Sequence, residues 1–397
     1  MTLRAPNHRV LAATAVVACA ISLTSAATAH SAEIHVHGLA DFAYAAGGEA
    51  IRDNWLNQSD SSFDPYRVRL FFDGDAGSGV EVFLQLMFAE VNNPRVYGAY
   101  ARWTPKPELD LHLMAGVVPW TIGTFAPRTY SDENPLMGTP LMYFYHSSLR
   151  SDAVPATRDA LLAARGTGQV GPNYGTGVGS KGMPFVYDRC WDYGVVVQGS
   201  RRPFEYSIGV QQGTPSTQSL DTDTNDGKSV VGRLGLAPIP ELRVGVSGAY
   251  GSYLANAIEP SLAPGTDVDD FNQVLTMADL EFMSGPLELR AEGFQNRFET
   301  PTIGNLDATG GYGEARITVR AGLHAAVRYD VLRFDEIQGS SGPALPWDCD
   351  RERLEVGLGW RPAVQLMLKG VYQRNTWSTV NGDRDNDLIG TQLSIRF

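Results

Sequence analysis

Arginines recur at every second residue in several short stretches of this chain. Arg67 and Arg69 alternate with Val68 and Leu70, Arg316 and Arg320 share a spacing in "EARITVR", Arg102 stands between Ala101 and Trp103, and Arg353 alternates with Leu354 and Val356. Glu81 in "VEVFLQL" and Asp110 in "LDLHLMAG" are set likewise. A period of two places such charges on one face of a β-strand and the apolar residues on the other. Rows of charge facing a wet interior can set the sign and field of an ion path. The same rows can also neutralise one another across neighbouring strands. Most of the pairs are expected to be structural, with a minority lining a constriction; Arg67, Arg69 and Arg102 are the first candidates.

Other chemistry is sparse. His35 and His37 share a face with only Asp41 near them, so polar lining is expected there and no metal site. No G-x-S-x-G, H-E-x-x-H, Walker loop or C-x-x-C-H is present, so neither an enzyme nor a cofactor is expected. A formal charge of -12 argues against a nucleic-acid partner. Cys190 and Cys349 each precede an alternating segment, and a disulfide between them or two separate thiols both remain open.

The elements that must carry these residues are strands. Alternating segments fall at 34–44, 63–73, 80–91, 95–104, 109–119, 190–199, 204–213, 229–237 and 242–252. They continue at 271–283, 287–298, 311–320, 322–332, 352–361, 363–374 and 387–397, sixteen in all. Each is near the 9–11 residues that a tilted strand needs to cross a bilayer. Short connections such as "GDAGSG", "SRRP" and "PIPE" alternate with longer ones: 45–62, 120–189, 214–228, 253–270, 299–310, 333–351 and 375–386. Only "NNP" breaks the alternation. Sorting of connections by parity is the mark of a transmembrane barrel with short periplasmic turns and long outer loops.

The fold class is therefore all-β, a sixteen-stranded antiparallel transmembrane barrel. Its third outer loop, about 120–189, is long enough to fold into the lumen. "PATRDALLAARG" predicts a short helix with Pro155 in its first turn and Gly166 beyond its end. Asp132, Glu133, Arg150 and Asp152 are the loop's candidates for facing the arginine wall. On the lipid parity, Tyr44, Tyr66, Tyr97, Tyr193, Tyr250, Tyr329 and Tyr372 mark one interface, and Phe72, Trp103, Phe204, Phe282, Trp360 and Phe397 the other. Arg4 and Arg9, an apolar run to Leu23 and Ala27-Thr28-Ala29 read as a leader, 1–29, ahead of a barrel at 30–397.

With sixteen strands, a long third loop and a terminal Phe397, the chain resembles a Gram-negative outer-membrane porin. "LHLMAGVVPWTIGTF" is similar to the loop entry of the phosphate-selective porin O and P superfamily. The resemblance implies a homotrimer in outer-membrane lipid, a third loop that constricts each pore, and passive diffusion of small hydrophilic solutes or ions. The terminal aromatic resembles the signal read by the barrel-assembly machinery. The alternative is a structural or adhesive barrel with acidic surface loops and little conductance.

Overall fold

The computed structural model describes residues 33–47, 64–89, 93–167, 182–187, 190–217, 223–379 and 382–397. The expected leader, most of the first outer loop and the side chain of Tyr66 lie outside them. Sixteen antiparallel strands close into one barrel. They are β1 (Glu33–Ala46), β2 (Asp64–Gly77), β3 (Val80–Ala89), β4 (Asn93–Lys106), β5 (Leu111–Pro119), β6 (Trp191–Arg201), β7 (Phe204–Gln211) and β8 (Ser229–Ile239). The second half is β9 (Leu242–Ser252), β10 (Asn272–Ser284), β11 (Leu287–Thr300), β12 (Gly304–Arg320), β13 (Leu323–Phe334), β14 (Arg351–Ala363), β15 (Leu366–Thr379) and β16 (Gly382–Arg396). Every neighbour in the ring is a neighbour in sequence except at the seam. There β16 pairs β1, from Leu39 opposite Arg396 to Ala46 opposite Ile389. Closure leaves no open edge in the barrel, as spanning strands require.

The seam ends on the last residue. Gly38 donates to the Phe397 carbonyl at 2.6 Å, and Phe397 N returns a bond to Gly38 O at 3.0 Å. The Phe397 ring lies against the face of Gly38, where a Cβ would collide with it. Outward-facing Val82, Val195, Ile208, Val230, Leu234, Val246 and Leu358 are exposed, as an apolar band turned to lipid should be. Inward-facing Asp41, Arg69, Asp279, Glu292, Arg328, Arg353 and Glu355 are buried. Tyr193, Tyr250 and Tyr329 stay exposed toward the long-loop end, and Trp103, Phe204 and Trp360 toward the short-turn end.

Some expectations fail locally. The connections expected at 299–310 and 375–386 are largely strand: β11 and β12 are joined by 301–303, and β15 runs to Thr379 with β16 starting at Gly382. Beyond the bilayer both faces of a strand are wet, so the hydrophobic alternation fades while the backbone ladder continues. Asp110 is not on a strand. It ends the 3-10 turn Pro107–Leu109 with φ at 47°, and β5 begins only at Leu111. Tyr97 faces inward, not to lipid, because a bulge between Gln85/Leu86 and their partners on β4 turns it over.

Candidate functional site

The third loop leaves β5 at Trp120 and folds into the lumen. Its first short helix is α1 (Leu141–Phe144); its second is α2 (Arg158–Ala163). Thr157 caps α2 by accepting from Ala160 N, so Pro155 lies ahead of the cap rather than in the first turn. Residues 134–149 are buried without exception. An irregular segment at membrane depth can persist only if its N–H and C=O groups find partners in protein. The wall provides them.

Wall carboxylates receive the loop's N–H groups. Glu292 on β11 accepts from Thr124 N, from Phe125 N at 3.0 Å and from the Tyr143 hydroxyl at 2.5 Å. Glu355 on β14 accepts from Met137 N at 3.1 Å and Gly138 N at 2.8 Å. Asp330 on β13 accepts from Leu141 N at 3.0 Å. Asp348, just ahead of β14, accepts from Ser148 N at 2.8 Å and Gly166 N at 2.7 Å. Wall cations bind the loop's carbonyls. Lys369 on β15 donates to Asn134 O at 2.8 Å and Leu136 O at 2.9 Å. Arg328 donates to Gly138 O at 2.7 Å, and Arg353 to Thr139 O at 3.2 Å. Arg328 also joins Glu355 at 2.7 Å, and Glu314 and Asp330 at 3.3 Å each. Burial and the neighbouring Glu292 carboxylate push the Tyr143 hydroxyl well above its usual range, so it stays a neutral donor.

The same loop packs an apolar core against β8–β13. Trp120, Ile122, Phe125, Tyr143 and Phe185 meet Leu275, Met277, Phe294, Phe298, Tyr312 and Phe334. Phe185 stands 4.7 Å from Phe294, ring centre to ring centre. Beneath the loop, toward the short turns, lies a chamber of about 750 Å³. Arg233, Arg243 and Arg290 line it together with Glu205 and Glu281, and Trp120, Thr124 and Tyr130 belong to its roof. Two smaller cavities, about 250 and 220 Å³, lie under Asn134–Pro135 and beside Tyr130.

The predicted site residues divide accordingly. Arg67 pairs with Asp41 at 2.9 Å, and Ser131 of the loop donates to the same carboxylate. Arg69 is enclosed between Tyr97 and Tyr130. Arg102 and Glu81 sit directly opposite one another and bond at 2.6 Å, and Arg316 bonds Glu288 in the same way. Asp110 in its turn is held below the usual carboxylate range by hydrogen bonds from Ser200 and His112. Arg320 is exposed at the short-turn end, away from the loop. Asp132 and Glu133 both lie against Arg396 of the wall. Arg150 and Asp152 instead bond each other at 2.9 Å, partly exposed. The disulfide does not form: Cys190 donates to Tyr187 O at 3.3 Å, and Cys349 sits against Gly166. Glu314 and Asp330 were not among the expected wall residues, although they share the parity of Arg316 and Arg328.

No protein-family model matches the chain, and no curated protein does. Solved structures do. OmpT, an outer membrane protein of Vibrio cholerae, aligns with a TM-score of 0.58 at 10% identity over 94% of this chain and 99% of its own. The anion-selective porin from Comamonas acidovorans gives 0.56 at 10% identity, over 92% and 100%. OmpF of Salmonella typhi, solved with daunomycin, gives 0.56 at 11% identity, over 92% and 97%. The fold is thus one found in outer-membrane porins.

Proposed function

We propose that the protein is an outer-membrane porin, a homotrimer in lipid that passes small hydrophilic solutes or ions passively. The observation that carries this reading is the third loop, folded inside a closed barrel and held above a charged chamber. Such a loop narrows the path, and the chamber's mixed arginines and carboxylates offer a transverse field to polar solutes. Purified protein in planar bilayers should give step conductance, and deleting 126–165 should raise each step several-fold. Unaltered steps after deletion would remove the loop from the path. Reversal potential in a salt gradient reads the ion sign. A place in the phosphate-selective superfamily predicts block of that current by phosphate.

The burial of 134–149 on all sides favours a second reading, a structural or adhesive barrel with little conductance. Absence of steps in pure protein would decide for it. The leader at 1–29 predicts a mature chain whose first residue is His30. Phe397, at the seam, is proposed as the assembly signal: Phe397→Ala should lower the yield of assembled, heat-modifiable barrel without altering conductance. Normal yield in that variant would count against the assignment.

A further inference from the structure

Arg69 is a buried lumen arginine that the loop meets with a ring, Tyr130, and not with a carboxylate. Its side chain is 1% exposed. The ring of Tyr130 covers one part of the guanidinium at 4.6 Å and that of Tyr97 another at 5.3 Å. Aromatic faces attract the cation but accept no hydrogen bond from N–H groups that lie in its plane. Nε and Nη1 of Arg69 have no acceptor. Gln85, whose Oε1 accepts from the Tyr130 hydroxyl at 2.9 Å, has an amide Nε2 with no acceptor either. The nearby carboxylate, Asp41, is already taken by Arg67 and Ser131.

Buried donors without acceptors are costly, and most of all on a charged group. The wall nevertheless interrupts its own ladder here, since the bulge in β4 is what carries Tyr97 over Arg69. From these unmet donors around Tyr130 we propose that Arg69, covered by Tyr97 and Tyr130, and Gln85, which holds the Tyr130 hydroxyl, form a binding site for a small inorganic anion of halide size. The donors supply charge-assisted hydrogen bonds in the guanidinium plane. The two rings exclude larger, hydrated ligands. Arg69 borders none of the three cavities under the loop, although Tyr130 borders two of them. An ion would enter from the chamber past Tyr130. This inference stands whether or not the barrel conducts.

The test uses the full-length barrel in detergent. Crystals grown with bromide in place of chloride should show an anomalous peak at the Nε–Nη1 edge of Arg69. In solution, the thermal unfolding midpoint should rise saturably with chloride, compared with gluconate at constant ionic strength. Arg69→Met should abolish both signals. If that variant does not fold, Gln85→Leu, which keeps the charge, should raise the half-saturating chloride concentration by roughly tenfold, the worth of one good hydrogen bond. A water at that edge with no anomalous signal, or a midpoint indifferent to the halide, would overturn the proposal.

Discussion

The third loop meets two different walls. On β8–β13 it presents rings and aliphatic groups to rings and aliphatic groups, with Phe185 and Tyr143 at the centre. On β13–β15 its backbone N–H and C=O groups meet Arg328, Arg353, Lys369, Glu355 and Asp330. Apolar burial is non-directional and stabilises in proportion to area, about 1.5–3 kcal/mol for each large side chain. Buried ions give little net stability, because desolvation offsets their attraction, but their geometry is demanding. The apolar wall therefore holds the loop in the barrel. The charged wall selects the register in which it is held, since each N–H or C=O has one partner at one place.

The largest effect should come from the apolar side. Phe294→Ala removes a ring that touches Phe185 and should cost the docked loop about 3–5 kcal/mol. Limited proteolysis should then cut the loop while the barrel keeps its heat-modifiable migration. A loop that stays protected would mean that apolar contact is not what retains it. Next comes Glu355→Gln. It keeps the shape but puts a donor NH2 in place of one of the two oxygens that serve Met137 N, Gly138 N and Arg328, while Arg328 retains Glu314 and Asp330. A loss of roughly 1–3 kcal/mol is expected. Its signature should be added noise in the open current rather than release of the loop. Smaller still is Glu81→Gln. The Arg102–Glu81 pair is partly exposed, so stability should change by less than about 1 kcal/mol. The reversal potential should shift toward anions, and an unmoved potential would take this pair out of the ion path.

The two walls also differ in how far the sequence discloses them. Charges at i, i+2 on β2, β13 and β14 announce an interior face, and the barrel follows from counting such faces. The apolar wall hides. Leu275 and Met277 on β10, and Phe294 and Phe298 on β11, share the inward parity with Asp279 and Glu292, but they look like any buried strand. Only the loop that covers them explains apolar residues on both faces of a barrel strand, and a packing partner about 150 residues away is not a local signal. Reading Arg102, Glu81, Arg316 and Arg353 as interior was within reach of period two. Knowing which of them meets loop backbone, and which only a neighbouring strand, required the loop's path. Arg320 shows the limit: period two places it inward, but a register shift between Thr318 and Arg320 sets it opposite Leu323, exposed at the short-turn end. Tyr97 shows another, since a single bulge reverses parity without any cue in "RVYGAY".

An effect on stability as small as that of Glu81→Gln gives the sharpest test of the division. Lys369 is 4% exposed and donates to two loop carbonyls. Lys369→Met fills nearly the same volume, removes the cost of burying an ammonium and leaves Asn134 O and Leu136 O without those donors. These changes oppose each other, so net stability should move by about 1 kcal/mol or less. If the charged wall sets register, the variant should still keep the loop protected from protease, yet its stretch around Asn134–Gly138 should sample more than one position. Single-channel records would then show sub-levels that the parent lacks. A loss comparable with that of Phe294→Ala would mean that the charged wall holds the loop as firmly as the apolar one. Unchanged stability with a single unchanged level would mean that Lys369 selects nothing, and that Arg328 and Arg353 suffice to fix the crossing.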